Sequence, residues 1–122
     1  MPKKESELDA FCRSLPAATE DVKWENDLVF SVGGKMFAAF ELPAGEPMSF
    51  KTDPDSFEVL VQLPGVRPAR YLARAHWVTV ESRSTLPRAE LEALLREAHR
   101  LVAAKLPKRR RLELGLELDI ET

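Results

Sequence analysis

The sequence predicts an α+β domain, one antiparallel sheet of about five strands with helices on one side, in the order α-β(3 or 4)-α-β-α. Three observations lead there. Apolar residues recur at helical spacing in three segments, near the start, the middle and the end of the chain. Between the first two lies a run of short β-rich segments, divided by Asn26-Asp27 and Gly33-Gly34, dipeptides of the kind that closes two-residue hairpins. Strands grouped in this way, rather than alternating one by one with helices, favour an antiparallel sheet over a parallel one.

Taken in order, Leu8, Phe11, Cys12 and Leu15 fall at i, i+3, i+4 and i+7, with Ser6 as the N-cap and Pro16 as the stop, which predicts a helix over residues 6–15. Strands are expected at Lys23-Trp24-Glu25, at Leu28 to Val32 and at Lys35 to Glu41, a three-stranded meander over residues 22–41. Pro43-Ala44-Gly45-Glu46-Pro47 reads as a turn, and Met48-Ser49-Phe50-Lys51 alternates as a fourth strand. Asp53-Pro54 is a cap followed by proline at the first helical position, opening a short helix through Phe57, Leu60 and Val61 that ends at Pro64-Gly65. Trp77-Val78-Thr79-Val80-Glu81 is a fifth strand, rich in β-branched residues. The last helix starts near Pro87, aligns Leu91, Leu94, Leu95, Ala98, Leu101 and Val102 on one stripe, and stops before Pro107. From Leu112 to Glu121 five aliphatics alternate with charges or glycine, so residues 1–111 read as the domain and residues 112–122 as an alternating tail that adds a strand. Pairing of that strand between chains would give a homodimer.

Composition narrows the function classes. A chain of 122 residues, 44% hydrophobic, is the size of one domain and buries roughly two thirds of its unfolded surface without metal or disulfide support. Cys12 is the single cysteine, which excludes an internal disulfide and a multi-cysteine zinc site; its place on the helix stripe makes it a small buried hydrophobe. The N-terminus has no apolar signal core and no stretch is apolar enough to span a bilayer, so the expectation is a soluble cytoplasmic protein without membrane, metal or cofactor. The net charge of -2 conceals an asymmetry. Residues 1–66 hold 6 Lys/Arg and 12 Asp/Glu, residues 67–111 hold 12 and 4, and residues 112–122 hold none and 4. A basic half can face an anionic partner if folding gathers its charges on one surface.

The densest chemistry lies in Pro68 to Val78, where Arg70, Tyr71, Arg74, His76 and Trp77 crowd together. Guanidinium and aromatic faces can hold phosphates and stack on bases. In the competing reading, Tyr71 and Trp77 are packing anchors and the arginines are solvated or paired with Glu20, Asp21 and Glu25; for the two aromatics packing is preferred. Candidate nucleic-acid contacts are Lys35, Lys51, Arg67, Arg70, Arg74, His76, Lys108, Arg109, Arg110 and Arg111. Catalysis finds little support. His76 and His99 are the two histidines, no nucleophile-base spacing occurs, and His99 among charged neighbours reads as a surface residue. A small-molecule site would show as an apolar pocket with converging polar groups.

Several of these segments carry a family pattern: Ser14-Leu15-Pro16, Glu20-Asp21, Trp24, Val29 to Ala38 with its Gly-Gly-Lys-Met-Phe-Ala core, Pro64-Gly65-Val66 to His76-Trp77-Val78, and Leu101 to Pro107. Over about residues 6–108 the chain resembles the MmcQ/YjbR family of small bacterial proteins. The resemblance implies an α-β(3)-α-β(2)-α sandwich related to secretion-chaperone-like folds. It also implies DNA binding, through the comparison of that fold with the double-wing domain of a phage transcription activator. The expected function is therefore that of a non-enzymatic protein holding DNA by phosphates with little sequence reading. A protein-interaction module or homodimer using the sheet face or the tail is the alternative. The tail departs from the family pattern.

Overall fold

The structure, a computed structural model, describes residues 6–116. Helix α1 (Ser6–Ser14) leads into strands β1 (Ala18–Lys23), β2 (Asp27–Val32), β3 (Lys35–Glu41) and β4 (Met48–Lys51). Helix α2 (Pro54–Leu60), strand β5 (Val66–Pro68), a 3-10 turn (Ala73–Ala75), strand β6 (Trp77–Val80) and helices α3 (Arg88–Ala104) and α4 (Lys108–Glu113) follow. The strands form one six-stranded sheet in the order β1-β2-β3-β4-β6-β5, antiparallel throughout. Its edges are therefore β1 and β5.

Period-two alternation decides which side of the sheet the helices cover. Leu28, Phe30, Val32, Ala38, Phe40, Met48, Phe50, Val78, Val80 and Val66 all point to one side, and there they meet Leu8 and Cys12 of α1, Leu60 of α2 and Leu91, Leu95, Ala98 and Val102 of α3. The predicted α+β class, with helices on one face, is the observed one. Asp53 caps α2 as expected, accepting from the Ser56 backbone N–H at 2.8 Å and from its hydroxyl at 3.0 Å. At the β2–β3 hairpin Gly33 sits at φ 62, and a Cβ there would meet the Leu106 side chain at 2.6 Å, so glycine lets the hairpin close against the end of α3.

Three expectations need correction. The first strand is Ala18–Lys23, and Trp24 and Glu25 are not strand but turn, at φ 48 and 72. An edge strand exposed on both faces carries no alternation to read, and β1 is exposed at every position after Ala18. Val66–Pro68 is a sixth strand, paired to β6 with Arg67 opposite Thr79. Three residues are too few to show a period. The strand expected from Leu112 does not begin there, because Lys108–Glu113 is α4, held by the Arg111 guanidinium donating to the Ala104 carbonyl at 3.5 Å and the Leu106 carbonyl at 2.8 Å. Leu116 then enters the core, and residues 117–122 of the proposed pairing tail lie outside the described residues.

Candidate binding groove on the open sheet face

The side of the sheet without helices is hollow. Arg67, Thr79, Ser49, Ala39 and Val29 form one cross-strand row, each opposite the next in register. Ala39 and Ser49 at its middle leave room that larger side chains would fill, and the Ser49 and Thr79 hydroxyls share a hydrogen bond of 2.8 Å. Met36 and Trp77 continue the floor. Trp77 is 4% exposed yet is not part of the helix-side core, so its ring belongs to this face.

Two loops rise above that floor and flank an open groove of about 760 Å³. One is the β1–β2 turn with Trp24; the other is Ala69-Arg70-Tyr71-Leu72 after β5. The second loop is closed by Ala69 N–H donating to the Trp77 carbonyl (2.9 Å), Leu72 N–H to Ala69 (3.1 Å) and Trp77 N–H to Leu72 (3.2 Å). Tyr71 stands at its tip with φ 69 and is 92% exposed, and Trp24 is 64% exposed. Bulky side chains rarely adopt positive φ, and such strain concentrates where ligands bind. Tyr71 is thus no packing anchor, which corrects the expectation from sequence, whereas burial of Trp77 agrees with it.

Charge divides the groove. Asp27 and Glu41 lie opposite each other across β2 and β3 at one end, and burial raises the Asp27 carboxyl above its ordinary pKa. Arg67 and Arg70 lie toward the β5 edge, with Arg67 ion-paired to Glu81. Among the described residues Arg70 and Arg74 pair with no carboxylate. Of the acidic residues in the competing reading, Glu20 and Asp21 sit on β1, at the opposite edge, and Glu20 binds Arg13 instead.

The ten sequence-predicted contacts scatter. Arg67 and Arg70 line the groove. Lys35, Lys51 and Arg74 lie at the end of the sheet where β3 begins, β4 ends and the 3-10 turn enters β6. Lys51 donates from Nζ to the Ala75 carbonyl at 2.8 Å, and burial, with Lys105 nearby, lowers its pKa. His76 does not face the groove: at φ 64 it packs edge-on against Phe57, ring centroids 5.4 Å apart, while its carbonyl accepts from the Thr52 N–H and hydroxyl. Lys108 and Arg109 are exposed on α4, Arg110 reaches Glu113 at 3.4 Å, and Arg111 is a helix cap. Sequence reasoning missed Trp24, in the β1–β2 turn, and Asp27, Glu41, Ser49 and Thr79, whose signal was their place as the polar partners of alternating strand residues.

The remaining candidates are structural. His99 is 4% exposed, donates from Nε2 to the Pro16 carbonyl at 2.8 Å and packs edge-on against Phe37, which corrects its reading as a surface residue; burial lowers its pKa. Cys12 is fully buried, and burial with nearby Asp9 pushes its thiol pKa up, away from nucleophile chemistry. Among the described residues no three His, Cys, Asp or Glu side chains gather as a metal site, and no helix is long and apolar enough to cross a membrane.

Comparison with known proteins places this geometry. The YjbR family profile matches residues 13–101. The protein YjbR of Escherichia coli K12 is 32% identical over 110 residues, covering 87% of this chain and 92% of YjbR, and YbdF of Escherichia coli O157:H7 is 30% identical over 83 residues, covering 66% and 68%. A crystal structure from Deinococcus radiodurans, of domain DUF419, superposes with a TM-score of 0.83 at 33% identity, covering 96% of this chain and 93% of that one. A Pseudomonas syringae structure shares the fold, with a TM-score of 0.66 at 21% identity over 82% and 99% of the two chains. The fold and the matched segments agree, and this chain belongs to the YjbR family.

Proposed function

We propose that this chain is a non-enzymatic nucleic-acid-binding protein that holds its ligand in the open-face groove, through phosphate contacts with little sequence reading. The observation that carries the reading is the wall loop of β5. It presents Arg70, with no carboxylate partner among the described residues, beside Tyr71, an aromatic ring 92% exposed to solvent. A folded protein gains little from such a ring unless something covers it. Lys35, Lys51 and Arg74 extend the positive charge along the adjacent end of the sheet, a path for a phosphate backbone. Covering Tyr71 and Trp24 by an apolar protein partner is the second reading, and salt separates the two.

The test is a binding titration of short single-stranded and duplex DNA across salt. Affinity should fall steeply with salt, and Arg70→Gln should reduce the slope of log K against log salt by about 1. Absence of binding at low salt, or binding indifferent to salt, would sink the reading.

A further inference from the structure

Phosphate binding accounts for the arginine end of the groove and leaves the other end unexplained. Asp27 and Glu41 face each other across neighbouring strands. Lys23, opposite Asp27 on β1, offsets their mutual repulsion within the sheet, while the two carboxylates still repel a phosphate. Both carboxylates line the same cavity as Trp24 and Arg70. The ligand must therefore present hydrogen-bond donors at one end, an anion at the other and a flat face between them.

Resting on the nucleic-acid reading, we infer that the groove takes an unpaired guanine of a single strand. The base stacks on Trp24, in the turn beside Asp27, its ring N–H and amino group donate to Asp27, and a phosphate further along the strand meets Arg70, with the next base on Tyr71. A carboxylate only accepts hydrogen bonds. Guanine is the base whose Watson–Crick edge sets a ring N–H beside an amino group, two adjacent donors for two carboxylate oxygens. Adenine and cytosine set their single amino group beside a ring acceptor, and thymine or uracil holds one N–H between two carbonyls. That edge is open in a single strand and occupied in a duplex, and the base faces are free for stacking only when unpaired. The cavity, about 760 Å³, is of the size that holds a small ligand.

The chain has two tryptophans, Trp24 and Trp77, and both line the groove, so intrinsic fluorescence reports its occupancy. An oligothymidylate of about eight nucleotides, long enough for one such site, is titrated at low salt, alongside the same strand with one central guanine and the duplex of that strand. The guanine strand should bind about tenfold tighter than either comparator, the discrimination expected of one bidentate contact. Asp27→Asn should erase the guanine preference and leave oligothymidylate binding unchanged, while Tyr71→Ala should weaken both strands. Tyr71 is so exposed that its truncation keeps the test valid should Asp27→Asn fail to fold. Equal binding of the two strands, tighter binding of the duplex, or guanine preference surviving Asp27→Asn overturns the inference and leaves the nucleic-acid reading standing. No binding of any strand overturns both.

Discussion

The two faces of the sheet are built from the same strands and follow different rules. On the helix side Phe30, Phe37, Phe40, Met48 and Phe50 are at most 1% exposed and interlock with α3. On the open side the same strands offer Ala39, Ser49 and Thr79, small and partly polar, under loops that hold two aromatic rings in solvent. One face carries the apolar burial that stabilises the domain, and the other keeps a concavity that burial would have filled. Stability and the proposed ligand recognition thereby fall to alternate residues, so they should respond separately to substitution.

The largest effect should come from the covered face. Phe50→Ala removes a fully buried ring and should lower unfolding stability by about 3–5 kcal/mol, read as a shift in urea midpoint. A similar loss from Ser49→Ala, its neighbour on the open side, would break the contrast between the faces. Next is Tyr71→Ala, expected to weaken single-strand binding about tenfold, from a stacking contribution of about 1–3 kcal/mol per base, with stability moving by no more than about 0.5 kcal/mol. Asp53→Ala, on the helix side, should cost about 1 kcal/mol through loss of the α2 cap and leave binding unchanged.

The smallest effect is in pH. Burial holds the His99 imidazole below its ordinary 6.5, partly offset by the bond to the Pro16 carbonyl. The unfolded chain therefore binds a proton that the folded one refuses, so the contribution is complete above pH 6.5 and is lost as pH falls below it. Urea melts across that range should show the decline in the native chain and a flatter profile in His99→Gln. Asp53 acts lower on the scale: the hydrogen bonds from Ser56 hold its carboxyl below 3.8, so its contribution persists above that value and fades as acid takes the pH through the depressed one.

What could be read from the chain follows from periodicity. α1, α2 and α3 each bury one stripe, so their spacing was visible, and Asp53-Pro54 marked the start of α2 as Gly33-Gly34 marked the β2–β3 hairpin. β1, exposed on both sides, and β5, three residues long, lacked that signature. α4 was hidden by aliphatics at every second position, among them Leu114 and Leu116, which pack on the core after a turn rather than along a strand. His99 shows the reverse: its charged neighbours Glu97 and Arg100 masked a position four residues after Leu95, on the buried stripe of α3. For the site, Arg67, Arg70 and Trp77 were legible because they cluster in sequence. Asp27, Glu41 and Ser49 were not, since only strand register brings them together, nor was Trp24, which the β1–β2 turn places beside them.

The order of residues by itself determined the α+β class and the bounds of α1, α2 and α3 to within a few residues, because these depend on spacing between near neighbours in the chain. Tertiary structure alone decided which charges distant in the chain meet. Strand order separates β1 from β5 by the width of the sheet, so Glu20 and Asp21 never approach Arg70. It also brings carboxylates from residues 27 and 41 and guanidiniums from residues 67 and 70 to the two ends of one groove. Such pairings span long separations along the chain, and no local pattern encodes them.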